Sequence, residues 1–358
     1  MKIYLASILF FGLVFIIFPS SKYDFQVNLI DTWIWDKQGG YGTQPSNISE
    51  NPTSNLAGYK NQGSFYSFPS GKFIKMEEGF LLDYSIFGEG FYQYKKLGDE
   101  VSFFDANNEL FWKKPYSSYP RPGYNPNLIP FVSGDGNIVF LVDKNGNQTG
   151  VKQVTGRFAT DISYSYYSDH TIILFSGGEY FLLDGAGVLL QKHNSKDIEH
   201  NQSYFAKSVV LSPNGKAFAI HAQNGEVDTI SVYNSENELI YSKNLNSIIS
   251  NKIYLALDDD GSLLYYENDK FSLLDKDGDE VSNYKADTKK VYQTVFVKDG
   301  IFFFLSGNEL QIINKKGIVL RSLFLPSNLK PVRVLPSKAA NNYYIETSKD
   351  LRQITLRK

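Results

Sequence analysis

Residues 272–281, SLLDKDGDEV, show the local pattern that decides the fold of this chain. A short apolar run ends in Asp275, and a polar turn with Gly278 leads into the next strand-like segment. Asp, Asn and Gly favour tight turns between strands because they tolerate positive backbone angles. The apolar run has no 3.6-residue period, so this stretch predicts a β-hairpin rather than a helix.

The same pattern recurs along the chain at regular intervals. Its other copies are FFDANNEL at 103–110, FLVDKNGN at 140–147, FLLDGAGVLL at 181–190, SVYNSENELI at 231–240 and QIINKKGIVL at 311–320. The lead residues are Asp105, Asp143, Asp184, Asn234, Asp275 and Asn314, at intervals of 38, 41, 50, 41 and 39 residues. A second turn precedes them, as SGDGNIVFL from Ser133, SPNGKAFAI from Ser212, DDDGSLLYY from Asp258, VKDGIFFFL from Val297 and, without glycine, SDHTIILF from Ser168.

A period of about 40 residues with four short strands per repeat is typical of a β-propeller blade. The sequence therefore predicts an all-β fold, a β-propeller over residues 65–358, most simply with seven blades, six or eight being the alternatives. The predicted units lie near 65–115, 128–156, 160–195, 204–245, 252–287, 291–325 and 330–357. The last unit has three clear strands, so we expect an N-terminal strand to complete it, either residues 25–29 or the stretch leading into Trp33 and Trp35.

The turns SPNGKAFAI and LLDKDGDEV resemble those of the WD40-like and quinoprotein-like β-propeller repeats, and the resemblance covers roughly residues 65–358. Within residues 65–358 the Trp-Asp dipeptide of WD40 repeats and the tryptophan-docking motifs of quinoprotein repeats are absent. The resemblance therefore implies the fold and the binding role common among such proteins, without assigning one family.

The N-terminus carries an export signal. Lys2 precedes an apolar run of 17 residues, 3–19, which predicts a hydrophobic helix, and no A-x-A cleavage site follows it. We interpret residues 1–22 as a signal anchor, with a cleaved signal peptide as the alternative, and 23–64 as an N-terminal strand followed by a Gly/Asn/Ser-rich loop or linker. The expected location is the periplasmic or other extracytoplasmic side of the cytoplasmic membrane, anchored through residues 3–19 or, if cleaved, soluble.

Composition excludes several classes of function. The net charge is −2 and the basic residues are scattered, so the basic face that nucleic-acid binding requires is missing. The chain has no cysteine, which excludes disulfides, thiolate metal sites and thiol nucleophiles.

Metal and catalytic motifs are weakly represented. Asp275, Asp277 and Asp279 superficially resemble a calcium loop, but glycine stands at position four instead of six, so a β-hairpin explains them more simply. No G-x-S-x-G or H-E-x-x-H motif is present, and the four histidines show no catalytic spacing. We therefore predict no catalytic residue and no cofactor, with calcium as the alternative.

Candidate binding residues are aromatic. The loop PYSSYPRPGYNPNLIP at 115–130 contains Tyr116, Tyr119, Arg121 and Tyr124, and Tyr and Arg are favoured at interfaces. The alternative is that this loop packs onto the ring. Trp33 and Trp35 alternate along one segment and belong either to an interface or, as we favour, to the core or the blade closure.

These features favour a non-enzymatic scaffold for protein–protein interaction or assembly in the cell envelope, with other envelope proteins as partners. One alternative is a metal-dependent propeller hydrolase of the lactonase type. A second alternative, suggested by the Tyr and Trp content, is a sensor that binds carbohydrate or cell-wall fragments.

Overall fold

The computed structural model describes residues 27–37, 42–43, 56–61, 63–193, 204–250, 252–286, 293–339 and 341–357. Within these ranges the regular structure consists of strands. No helix in this part of the chain has the length and apolar character needed to cross a membrane. The hydrophobic helix predicted from residues 3–19 lies outside the described residues.

The described part of the chain forms 32 strands in eight antiparallel sheets. The strands in the first half are β1 (Asn28–Asp36), β2 (Gly42–Thr43), β3 (Gly58–Asn61), β4 (Ser64–Ser67), β5 (Lys72–Lys75), β6 (Phe80–Tyr84), β7 (Gly90–Lys95), β8 (Val101–Asp105), β9 (Leu110–Lys114), β10 (Ser118–Pro120), β11 (Ile129–Ser133), β12 (Ile138–Val142), β13 (Val154–Thr155), β14 (Ala159–Tyr164), β15 (Thr171–Phe175), β16 (Tyr180–Leu183) and β17 (Leu189–His193).

The strands in the second half are β18 (Tyr204–Leu211), β19 (Ala217–Asn224), β20 (Val227–Asn234), β21 (Leu239–Asn244), β22 (Leu255–Leu257), β23 (Leu263–Glu267), β24 (Lys270–Leu274), β25 (Glu280–Lys285), β26 (Gln293–Lys298), β27 (Ile301–Ser306), β28 (Glu309–Asn314), β29 (Val319–Phe324), β30 (Pro331–Pro336), β31 (Asn342–Thr347) and β32 (Asp350–Arg357).

The sheets are the blades of a β-propeller. Blade 1 is β3–β5, blades 2 to 7 are the successive groups of four strands from β6 to β29, and blade 8 is β30–β32 with β1 and β2. The first strands of neighbouring blades contact one another, for example β14 with β18 and β18 with β22, so they surround a common axis. The fourth strands form the outer rim, where their side chains alternate between exposed and half-buried.

The blade count is eight, one more than the favoured prediction and one of its two stated alternatives. The unit predicted over 65–115 contains blade 2 and most of β4 and all of β5 from blade 1, whose first strand, β3, begins earlier at Gly58. Blade 1 was missed because its strands are only four residues long and no copy of the Asp-led turn follows them. Such short strands leave little periodicity for a sequence pattern to show.

The N-terminal strand closes the ring. Strand β1, which contains Trp33 and Trp35, pairs antiparallel with β32 from Asn28 opposite Arg357 to Asp36 opposite Asp350. It therefore supplies the fourth strand that the C-terminal unit lacks, and β2 adds a fifth. The two tryptophans are buried with Tyr59 in the core between blades 8 and 1, as blade closure requires.

The six Asp-led or Asn-led turns share one geometry. In each, Oδ1 of the lead residue accepts the backbone N–H groups two and four residues later at 2.8–3.0 Å. The residue three positions on has positive φ and is Gly or Asn, for example Gly278 at 88°. These turns join the third strand of a blade to the fourth. The exception is Asp143, after which the chain makes an extra loop before β13.

One predicted turn was assigned to the wrong hairpin. The turns after Ser168, Ser212, Asp258 and Val297 join the first and second strands of their blades, whereas the turn after Ser133 joins β11 to β12, the second and third strands of blade 3. The strands alternate in direction, so the first-to-second and third-to-fourth turns share one face of the ring, which we call the turn face. The second-to-third turns and the connections between blades lie on the opposite face, which we call the open face.

Candidate functional site

A cavity of about 620 Å³ lies between the inner strands of blades 2, 3, 4 and 8. Gly134 and Gly136 in the β11–β12 turn and Phe158 before β14 also line it, so it extends toward the open face. Its charged lining residues are Asp83, Arg121, Asp161 and Arg333. Volumes of about 300–1,000 Å³ are usual for ligand sites, so this cavity is large enough to receive one.

Asp83 and Arg121 face each other on one wall. Nη1 of Arg121 lies 3.7 Å from Oδ2 of Asp83. The same Oδ2 accepts the hydroxyl of Tyr94 at 2.5 Å, and Lys60 approaches Oδ1 at 3.9 Å. The Tyr164 hydroxyl donates to the Arg121 carbonyl, which fixes the backbone while the guanidinium remains half exposed.

Asp161 stands at a bulge near the start of β14. Its carboxylate pairs with the Lys252 ammonium and accepts the backbone N–H groups of Val209 at 2.9 Å and Ile162 at 3.0 Å. Burial raises the pKa of Asp161 above its ordinary value, while Lys252 counteracts the shift. Asp161 thus links the inner strands of blades 4 and 5 to the connection before blade 6.

Arg333 is held by the ring closure. Its Nε donates to Oε2 of Glu346 at 2.7 Å, and its Nη2 donates to the hydroxyl of Tyr84 at 3.0 Å. Lys37, immediately after β1, donates to the other oxygen of Glu346 at 2.8 Å. Burial alone would raise the pKa of Glu346, but Arg333 and Lys37 outweigh it and lower that pKa.

An aromatic bridge of Phe87, Tyr124, Tyr166 and Phe296 crosses the axis toward the turn face. The ring centroids are 5.7 Å apart for Phe87 and Tyr124, 5.6 Å for Tyr124 and Tyr166, and 5.9 Å for Tyr166 and Phe296. The Tyr166 hydroxyl also donates to the Val297 carbonyl at 2.9 Å, joining blade 4 to blade 7. Burial raises the pKa of Tyr124 to about 12, so its hydroxyl stays protonated at neutral pH.

The structure separates the predicted binding residues into groups with different surroundings. Tyr119 and Arg121 line the cavity, and Tyr124 belongs to the aromatic bridge. Tyr116 packs against Phe131 in the core between blades 2 and 3, and its hydroxyl donates to the Gly146 carbonyl at 2.8 Å. The 115–130 loop thus lies partly against the ring, while three of its residues, Tyr119, Arg121 and Pro122, reach the cavity wall.

The three candidate metal ligands lie in the β24–β25 turn. Oδ1 of Asp275 accepts the backbone N–H groups of Asp277 and Asp279, each at 3.0 Å. The side chains of Asp277 and Asp279 are exposed. Across the described residues, no three His, Cys, Asp or Glu side chains come together in a group that could hold a metal ion.

Sequence reasoning missed Asp83, Asp161 and Arg333. All three lie on inner strands, in the segments FLLDY, ATDISY and PVRVLP. A charged residue inside a short strand of a repeat is the signal that could have identified them. The blade assignment was needed first, because only the first strand of each blade faces the axis.

Known proteins resemble this chain in fold but not in sequence. No family model matches the chain, and no curated protein matches its sequence. BamB from Moraxella catarrhalis superposes with a TM-score of 0.60 at 11% identity, over 92% of this chain and 99% of BamB. Sqt1 from Saccharomyces cerevisiae superposes with a TM-score of 0.56 at 10% identity, over 82% of this chain and 90% of Sqt1. The chain is a β-propeller. At such low identity these structures establish the architecture alone.

Proposed function

We propose that this chain is an exported, non-enzymatic scaffold that docks protein partners on its open face. The observation that carries the proposal is an arc of exposed aromatic side chains at the start of three consecutive inner strands. Phe158 is 52% exposed before β14, Phe205 is 45% exposed in β18, and Tyr254 is 43% exposed before β22. Phe158 also lines the charged cavity.

Exposed aromatics beside a charged concavity support a docking role. Aromatic residues and arginine supply most of the binding free energy in many protein interfaces. Single exposed apolar residues are common on any protein, but three exposed aromatic residues near the open-face ends of neighbouring inner strands place apolar area on one side of the ring.

A buried ionic cluster holds part of this surface in place. Nζ of Lys207 donates to both carboxylate oxygens of Asp228, at 2.7 and 2.8 Å, and to the Ile249 carbonyl at 2.7 Å. Oδ2 of Asp228 also accepts the Ile249 N–H at 2.8 Å. The connection that leads to Tyr254 is therefore fixed to blade 5, and a preformed surface loses little entropy on binding.

The proposed location rests on the N-terminal sequence. Lys2 and the apolar run 3–19 support export and anchoring on the extracytoplasmic side, with other envelope proteins as partners. Strand β1 begins at Asn28, so a tether of only a few residues would hold the ring near the bilayer. A C-terminal fusion to a reporter enzyme that is active only outside the cytoplasm tests this, and an inactive, intact fusion would contradict export.

Site-specific photocrosslinking tests the docking role. A photoreactive residue replaces Phe158, Phe205 or Tyr254 in turn, and Val188 or Leu239 as equally exposed controls at the third-to-fourth turns. We expect discrete adducts with a partner protein from the open face and none from the controls. Adducts that form equally from both faces, or from neither, would refute the proposal.

A further inference from the structure

The charges around the cavity favour an anionic ligand. Counting the lining groups with their direct ion-pair partners, the cations are Arg121, Arg333, Lys60 and Lys252, and the anions are Asp83, Asp161 and Glu346. This neighbourhood therefore carries an excess of one positive charge, whereas the whole chain has a net charge of −2. The local charge is thus opposite in sign to the net charge of the chain, and it attracts an anionic ligand to this region.

The two arginines retain donors for a ligand. The Arg121 side chain is 50% exposed, and its hydrogen bond to a protein acceptor is a long one, 3.4 Å from Nη1 to the Pro120 carbonyl. The Arg333 side chain is 42% exposed and uses Nε and Nη2 for Glu346 and Tyr84. A guanidinium has five N–H donors, so each arginine keeps some that can reach a carboxylate in the cavity.

The acids around the cavity are already neutralised. Asp161 is occupied by Lys252 and two backbone N–H groups, and Asp83 by Tyr94 and Arg121. Oxygen atoms bound in this way attract a cationic ligand weakly, because each would first have to release its partner. The two guanidinium groups are also in ion pairs, but each keeps exposed N–H donors beyond the pair and needs no such release.

We infer that the cavity receives acidic side chains, Asp or Glu, from a polypeptide partner docked on the open face. This inference rests on the proposed docking function and specifies its partner. A cavity of about 620 Å³ has room for more than one such side chain. Arg121 and Arg333 bind their carboxylates, while Phe158 and Tyr119 contact the neighbouring apolar groups.

Fluorescence anisotropy with synthetic peptides tests the inference on the folded protein. The probe is an end-blocked hexapeptide, Gly-Phe-Asp-Asp-Phe-Gly, and its comparison is the isosteric Asn-Asn peptide. We expect the acidic peptide to bind at least about tenfold more tightly at low salt, and the difference to shrink as salt rises. Equal affinities for the two peptides would overturn the inference.

Two arginine variants locate the effect. Arg121→Ala should reduce the preference for the acidic peptide at least about threefold, since it removes one of the two guanidinium groups. Arg157→Ala is the matched control, because Arg157 is exposed on the same face just before β14 and outside the cavity lining. An unchanged preference in Arg121→Ala, or an equal loss in Arg157→Ala, would overturn the assignment to this cavity.

Glutarate distinguishes a peptide site from a small-molecule site. If free glutarate competes as strongly as the acidic peptide, the peptide inference falls. If crosslinks from Phe158 persist while acid selectivity is absent, the docking function stands and only the acidic nature of the partner is refuted. If crosslinks are also absent, both proposals are rejected.

Discussion

The lead residue of each recurrent turn should matter far more than the acidic residues that follow it. In the β24–β25 turn, Asp275 accepts two backbone N–H groups at 3.0 Å, whereas Asp277 and Asp279 direct their side chains to solvent. We predict that Asp275→Ala lowers the free energy of unfolding, and that Asp277→Ala and Asp279→Ala leave it nearly unchanged. A calcium site would make all three substitutions costly in the presence of the ion.

The magnitude follows from the two lost hydrogen bonds. Each is worth roughly 0.5–1.5 kcal/mol, and exposure of the turn lets water replace part of it, so Asp275→Ala should cost about 1–2 kcal/mol. The entropy of unfolding is about 2.1 cal/mol/K per residue, or roughly 0.7 kcal/mol/K for a chain of this length. The expected decrease in Tm is therefore about 1.5–3 °C.

Asn234 and Asn314 occupy the same position in their turns and make the same two bonds, so Asp275→Asn is the internal control and should be nearly neutral. Thermal melting of the three alanine variants and Asp275→Asn, each with calcium and with a chelator, measures these effects. Equal destabilisation by the three alanine variants, or a calcium-dependent Tm that Asp275→Ala abolishes, would refute the turn-based explanation.

Further predictions concern buried groups. Asp228→Asn should cost about 3–5 kcal/mol in urea unfolding, because it leaves a buried lysine without its counter-charge. Burial lowers the pKa of His221 in the folded protein below its unfolded value of about 6.5. The contribution of His221 to the free energy of unfolding should therefore be fully present above about pH 6.5 and be lost as pH falls through the lower pKa of the folded state. His221→Gln should flatten that decrease between about pH 7.5 and 5. Gly88→Ala should prevent stable folding, since its Cβ would lie 1.9 Å from the Gly58 carbonyl oxygen, whereas Gly79→Ala, at positive φ in open space, should cost about 1–2 kcal/mol. Soluble yield and melting measure this last pair.

The sequence predicted the order of the strands wherever a turn is stabilised by hydrogen bonds between residues close together in the chain. Lead residues such as Asp105 and Asn314 determine their own turns through bonds to residues two and four positions on, so a repeat of six copies was visible without tertiary information. The misassigned turn shows the limit of this argument. The turn from Ser133 precedes its lead residue by 10 residues, against 16 to 22 for the others, and this difference in spacing marked it as a different hairpin.

The charged cavity could not be predicted because its geometry is non-local. Arg333 contacts Tyr84 across 249 positions of sequence, and Lys252 pairs with Asp161 across 91. These neighbours are set by the number of blades and by which strand faces the axis. An error of one blade, as in the seven-blade prediction, changes which side chains meet.

The closing strand connects the ring to the cavity. Strand β1 pairs with β32 along its length, and Lys37 at its end donates to Glu346, whose other oxygen accepts from Arg333 in the cavity wall. One carboxylate oxygen of Glu346 therefore contacts the end of the closing strand, and the other positions the Arg333 guanidinium. Because Glu346 is buried, loss of Lys37 would leave its charge with one partner instead of two and weaken the hold on Arg333. The residues that complete the fold and those that line the cavity thus share one ionic network.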